Sequence, residues 1–323
     1  MDKPARGCEI SVVVPLYNEE DSVAELYDRL KKVLNALNRS YEIVFVDDGS
    51  RDGTFELARS IQRKDHLVTL VQLRRNFGQT AGLAAGFDHC SGDIIIAMDG
   101  DLQHFPEDIP SLLAKIDEGC DIASGWREKR VDNFLLRRLP SLVANRLMAW
   151  LSGVSLHDFG TTFKAYRREV LEGVDLYGEL HRFIPALASW QGVKIAEVPI
   201  QNIVRPKGKS KYGLSRTFRV LMDLLTVKFM ISYVARPLHF FGFIGLVLFG
   251  VGFSVALVIT VLYYFSDLVV GEHLGNLIFA MLMMVLGVQL AAIGLSLEVS
   301  SRIYHTTHER TIYAVRSIHR HAS

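Results

Sequence analysis

From Glu9 to Gly125 the chain alternates two hydrophobic rhythms. Short apolar runs rich in β-branched residues at Ile10–Pro15, Tyr41–Val46, Leu67–Leu73, Asp93–Met98 and Asp121–Ser124 have the length and composition of buried strands. Between them, Asp21–Leu37, Gly53–Arg63, Gln79–His89 and Pro106–Glu118 carry apolar residues at helical spacing. Repeated βα units with continuous apolar strands predict an α/β fold: a Rossmann-like, mostly parallel sheet with helices on both faces. In such sheets ligands collect beyond the carboxyl ends of the strands.

The rhythm changes in the last third. Leu238–Phe265 and Leu274–Leu297 contain no Asp, Glu, Lys or Arg, and each exceeds the ~20 residues a helix needs to cross a bilayer. Two transmembrane helices are expected at about 238–265 and 274–297. The connecting segment carries Asp267 and Glu272 but no Lys or Arg, whereas Arg236 precedes the first span and Arg302, Arg310, Arg316 and Arg320 follow the second. The positive-inside bias then puts both termini in the cytoplasm, in a multi-pass protein of the cell (inner) membrane. Leu214–Tyr233 mixes apolar residues with Arg216, Arg219 and Lys228, the pattern of an amphipathic helix at headgroup level. The expected organisation is a cytoplasmic domain over 1–212, an interfacial region over 213–236, spans within 237–297 and a basic tail over 298–323. Asn276 and Gln289 in the second span are expected to face another helix, which favours a bundle or homo-oligomer.

Composition narrows the function classes. A net charge of +1 on 323 residues offers no global basic field for nucleic acid. Cys8, Cys90 and Cys120 are odd in number and lack zinc-type spacing, so they read as reduced thiols. The N-terminus runs into the first strand without an apolar signal-peptide core.

Polar clusters fall at the predicted strand ends: Tyr17 to Glu19, Asp47 to Ser50, Arg75 to Gln79, and Asp99 to Gln103. No GxGxxG follows the first strand, and neither GxxxxGK[ST] nor HExxH occurs. In IIIAMDGDLQ, Asp99 and Asp101 stand two residues apart where a strand ends. Mg²⁺ or Mn²⁺ takes such oxygens together with substrate phosphates, and the amide oxygen of Gln103 could complete the shell. A polar loop with two surface acids is the plainer alternative.

The segments SVVVPLYNEE, FVDDGSRDGT, RNFGQTAGLAAGF, GDIIIAMDGDLQHFPE and DFGTTFKAYRREVL together resemble the inverting GT-A glycosyltransferases of family 2, within them the polyprenyl-phosphate group. RPKGKSKYG and the paired spans extend the likeness over almost the whole chain. The resemblance implies transfer of a sugar from a nucleotide-diphosphate donor to a polyprenyl phosphate such as undecaprenyl phosphate, with UDP-glucose the leading donor and GDP-mannose or a UDP-aminoarabinose donor as alternatives. It implies that Pro15, Tyr17, Glu19, Asp48, Gln79, Asp99 and Asp101 bind the donor, with Asp99, Asp101 and Gln103 on the metal. It places Arg127, Arg137, Arg138, Ser141, Arg205, Ser210 and Lys211, helped by Lys209, around the acceptor phosphate, and His181 and Arg182 on the acceptor side. Asp158, Asp101 and Arg205 are the implied catalytic residues.

Base is the customary role for the family's Asp158 position. A phosphate monoester, however, has a second pKa near ~6, so the acceptor is largely dianionic at neutral pH and needs little deprotonation. Asp158 is therefore expected to position acceptor, metal shell or an arginine. A processive polysaccharide synthase would carry a QxxRW-type motif and further spans, and neither is visible. A non-catalytic nucleotide-sugar-binding scaffold is the rival from another class.

Overall fold

The computed structural model describes residues 7–127, 154, 156–174, 176, 180–189, 192–201, 237–265, 273–306 and 312–321. Arg137, Arg138, Ser141, Arg205, Lys209, Ser210, Lys211 and the expected interfacial region 213–236 lie outside them.

The strands are β1 (Cys8–Leu16), β2 (Tyr41–Asp47), β3 (Val68–Leu73), β4 (Gly92–Ala97), β5 (Ile122–Trp126), β6 (Lys164–Arg167), β7 (Ile195–Pro199) and β8 (Val315–His319). The helices are α1 (Val23–Ala36), α2 (Thr54–Lys64), α3 (Gln79–His89), α4 (Ile109–Asp117), α5 (Arg168–Glu172), α6 (Ile184–Ala188), α7 (Pro237–Phe265) and α8 (Leu274–Thr306). A short 3₁₀ turn, Pro106–Asp108, opens what the sequence suggests is one helix through Glu118.

The eight strands among the described residues form one sheet in the order β7-β5-β6-β4-β1-β2-β3-β8. β4, β1, β2 and β3 are parallel neighbours, as continuous apolar strands require when both faces are covered. Ile10, Val12 and Val14 pack with Leu26, Leu30 and Leu34 of α1 on one face, while Val13 packs with Ala81, Leu83 and Ala85 of α3 on the other. Each buried branched side chain contributes roughly 1.5–3 kcal/mol relative to exposure. Small residues let α3 lie close: a Cβ on Gly86 would meet Val13 Cγ1 at 2.1 Å.

Two strands depart from the parallel scheme. β6 runs antiparallel between β4 and β5, so the segment entering β6 reaches the rim that β4 leaves. β8 runs antiparallel to β3 and closes the opposite edge. Part of the expected basic tail is therefore a strand; its alternating burial, with Val315 and Ser317 half-buried, matches a sheet edge.

The second unit, residues 228–310, contains α7 and α8. Leu238–Phe265 and Leu274–Ser300 are long and apolar enough to cross a membrane. The helices approach through small residues: a Cβ on Gly245 would lie 2.5 Å from Gly287 O, and one on Gly252 2.5 Å from Ala280 O. Their other faces expose large apolar side chains such as Leu246, Phe253, Met281 and Leu282. α8 continues past Leu297 to Thr306. Asn276 and Gln289 are exposed on this pair, so α7 is not the helix they face.

Candidate active site

The carboxyl ends of β1, β2, β3, β4 and β5 and the loop entering β6 build the site. After β2, Asp48 is buried at 3% exposure and accepts hydrogen bonds from Phe77 N (2.7 Å) and Gly78 N (2.9 Å). Burial pushes its carboxyl up to about 6, against the pull of those two amides. Asp48 thus holds the loop after β3, which the left-handed Gly78 (φ 96°) turns into α3.

Gln79, the first residue of α3, donates through Nε2 to Asp99 Oδ1 (2.5 Å) and Thr162 Oγ1 (3.1 Å). Burial raises the Asp99 carboxyl above its ordinary range, while the hydrogen bond with Thr162 and the positive fields of Arg127 and Arg182 act the other way. The side chain keeps 27% of its surface exposed, so solvent moderates that shift. Asp101 Oδ1 accepts from Gln103 N at 3.1 Å, a turn made possible by Leu102 in the left-handed region (φ 58°). Gly100 between the acids is closely packed: Ser22 Oγ donates to its carbonyl at 2.9 Å, and a Cβ there would lie 2.6 Å from Leu16 Cδ2.

On the β1 side, Pro15 pairs in register with Val46, Tyr17 is 36% exposed, and Glu19 Oε2 accepts from Ser22 Oγ at 3.0 Å. Across the rim, Arg127 after β5 grips Asp158 with two bonds, Nε to Oδ2 at 2.7 Å and Nη2 to Oδ1 at 3.1 Å. Asp158 is 2% exposed and also accepts from Gly160 N at 3.0 Å. Both carboxylate oxygens of Asp158 are thus engaged by one guanidinium, the charge-assisted two-bond geometry that arginine favours. His181 is buried with Nδ1 2.7 Å from Thr80 Oγ1 on the first turn of α3, and its ring nitrogen Nε2 accepts from Arg182 Nε at 3.4 Å.

The model of the family described as "Glycosyl transferase family 2" matches residues 11–174. The chain is 40% identical to dodecaprenyl-phosphate galacturonate synthase of Rhizobium johnstonii, over 98% of this chain and 94% of that protein. The chain belongs to glycosyl transferase family 2. It is 36% identical to undecaprenyl-phosphate 4-deoxy-4-formamido-L-arabinose transferase of Shewanella sediminis, over 96% and 92% of the two chains. Among solved structures it resembles glucosyl-3-phosphoglycerate synthase of Mycobacterium tuberculosis in complex with Mn²⁺ and UDP-glucose, with a TM-score of 0.54 at 22% identity over 69% of this chain and 79% of that one. That likeness shows the GT-A fold.

As a family 2 glycosyltransferase, the chain carries buried groups around its rim that sequence reasoning missed. Lys164 opens β6 fully buried, its ammonium donating to the carbonyls of Thr161 and Phe159, and burial pulls its pKa down to about 7. His104 lies beneath Asp99, with Nε2 3.7 Å from Oδ2, and stacks on Phe163 at 5.6 Å. Burial depresses it to about 4, which keeps it neutral. The signal for Lys164 was a lone charge in the apolar run TTFKAY; for His104 it was the polar continuation of DLQ.

Proposed function

We propose that the protein is a membrane-bound inverting glycosyltransferase that moves a sugar from a nucleotide diphosphate to a polyprenyl phosphate. The observation that carries this reading is the pairing across one rim of an acidic DxD turn, tied to Gln79, with the Arg127–Asp158 clamp, in a chain matching polyprenyl-phosphate transferases nearly end to end. The relatives' names favour a donor sugar of the galacturonate or formamido-arabinose kind over glucose.

Asp99 and Asp101 supply hard oxygen ligands at the mouth of the sheet, and Asp99 is partly solvent-exposed, so the pair suits Mg²⁺ or Mn²⁺. Among the described residues no three His, Cys, Asp or Glu side chains gather as a ready-made cage, which suits a cation shared with donor oxygens. Such an ion, when bound, offsets the charge that develops on the departing diphosphate. Gln79 fixes Asp99, and Asp48 fixes the loop that carries Gln79. Pro15, Tyr17 and Glu19 border the nucleotide side.

On the acceptor side, Asp158 takes the Nε and Nη2 edge of Arg127 and so fixes that guanidinium as a positive charge beside a dianionic phosphate, with Arg137, Arg138, Ser141, Arg205, Ser210 and Lys211 as further donors. One phosphate oxygen forms a bond to the anomeric carbon as the bond to the diphosphate breaks, and the nucleoside diphosphate leaves. This single displacement inverts the centre and needs no covalent enzyme intermediate. Because β8 returns to the sheet after both apolar helices, an even number of crossings accounts for the topology, with both termini on the cytoplasmic side.

The test is a panel of UDP- and GDP-sugars, including uronate and aminoarabinose derivatives, incubated with undecaprenyl phosphate and Mg²⁺ or Mn²⁺. A glycolipid in the organic phase, dependent on metal, is expected. Donor binding without product from any sugar would leave the scaffold reading standing instead.

A further inference from the structure

A cavity of about 240 Å³ lies at the ends of β2 and β3 and against β8, lined by Gly49, Ser50, Gln72, Leu73 and Asn76 together with Arg51, Arg74, Arg75 and Arg316. Four guanidinium groups from three separate segments thus share one small space. None of them makes an ion pair with a carboxylate of any described residue. Arg74 Nε donates to Val315 O at 3.3 Å, and Arg75 lies 4.2 Å over the Phe77 ring and reaches only a carbonyl, Asn76 O. Arg316 makes no hydrogen bond with a described side chain or carbonyl.

The backbone is shaped to bring these charges together. Gly49 has φ 68° and packs so tightly on the next loop that a Cβ would lie 2.5 Å from Arg75 C, which sets Arg51 and Arg75 side by side. The β3–β8 pairing slips between Gln72 and Leu73: Gln72 faces Ser317, Leu73 faces Val315, and Arg316 is the extra residue. A bulge of this kind re-aims a side chain, here into the cavity that Gln72 and Leu73 line. Like charges concentrated in a concave site repel one another and draw counter-ions, and the arginine fork matches phosphate oxygens.

We propose that this cavity is an anion site that takes a phosphate group, of an acidic phospholipid headgroup or of a soluble phosphorylated ligand. Its lining includes none of Asp48, Gln79, Asp99, Asp101, Arg127 or Asp158; it borders the donor side through Gly49 and Arg75, which stand next to Asp48, and opens toward β8 on the other side. A membrane protein meets acidic headgroups continuously, and basic residues near the surface bind them. The lipid arm of the proposal rests on the membrane reading above; the soluble arm does not.

The test uses the full chain and reads binding, not turnover, so it stands apart from the donor panel. With UDP and Mn²⁺ present in excess to fill the donor site, binding of inorganic phosphate is measured in neutral detergent. In parallel, phosphatidylglycerol retained by the protein is measured after reconstitution in phosphatidylcholine discs doped with that lipid. Arg74→Gln with Arg316→Gln is expected to weaken whichever ligand binds by about tenfold or more, the loss of a hydrogen bond to a charged group. Arg316→Glu alone, which breaks no hydrogen bond, is expected to do the same while leaving thermal unfolding and UDP affinity unchanged. Phosphate alone, the lipid alone, or both responding in this way supports the site and identifies its source. Wild-type protein that binds neither, variants that bind as the wild type does, or a matching loss of UDP affinity would overturn it.

Discussion

The two halves of the rim are held by different physics. Between β3 and β4, the acids are fixed mainly by backbone and amide groups: Asp48 by the amides of Phe77 and Gly78, Asp101 by that of Gln103, and Asp99 by the Gln79 side chain. Between β5 and β6, charge holds charge: Arg127 on Asp158, with the buried Lys164 anchoring the carbonyls between them. Strand direction explains the contrast. Parallel strands bring their exits to the rim, where loops are short and begin helices; the antiparallel β6 brings its entrance, and the chain arriving there must carry its own fixing groups.

The largest expected effect tests the charged half. Arg127→Ala removes the two-bond partner of a carboxylate that is 2% exposed, and breaking a buried pair from one side costs about 3–5 kcal/mol. A lower thermal unfolding midpoint in detergent and loss of transfer are expected together. Arg127→Met with Asp158→Leu should return most of the lost stability, because apolar groups of similar size replace a buried pair well, while transfer stays absent. A single variant as stable as the wild type would show that charge does not hold this half.

A pH experiment probes the amide-held half. Asp48 in the folded chain is raised to about 6, above the ~3.9 of an unfolded aspartate. Between those values the folded state binds more protons than the unfolded one, so this contribution to stability falls as pH rises and levels off above about 6. The full swing is up to about 3 kcal/mol. Unfolding midpoints measured from pH 4 to 8 should show this decline, and Asp48→Asn should flatten it. Equal slopes in both proteins would mean that the Phe77 and Gly78 amides offset the burial completely.

How much of this was legible follows the same division. The sequence located the four parallel strands, α3 to the residue, and the strand-end clusters, because continuous apolar runs and helical spacing are local signals. It placed Asp48, Gln79, Asp99 and Asp101 on one rim for the same reason. It did not show that β6 inserts antiparallel between β4 and β5, nor that β8 closes the far edge, since strand order depends on contacts between distant segments. The tail read as merely basic because VRSIH alternates weakly and its burial comes from β3. Lys164 and His104 carry only faint signals, a lone charge in TTFKAY and a polar residue after DLQ, and neither says that the side chain will be buried.

The smallest expected effects compare one glycine from each half. A Cβ on Gly125, in β5, would lie 2.8 Å from both Phe163 O and Ile200 Cδ1. A carbonyl fixed in a sheet cannot retreat, so Gly125→Ala should cost toward the upper part of the about 1–3 kcal/mol range for overpacking. A Cβ on Gly100 would meet Leu16 Cδ2 at 2.6 Å and Pro15 O at 3.2 Å. The nearer obstacle is the end of a flexible side chain, so Gly100→Ala should cost about 1 kcal/mol. The acids on either side of Gly100 are tied by Gln79 and by the Gln103 amide, so the methyl should shift Leu16 and leave them in place. Donor KM is then expected to stay near the wild-type value in Gly100→Ala while the unfolding midpoint drops slightly. A rise in KM without loss of stability would mean that the acids moved and Leu16 did not, making the amide-held half the softer of the two.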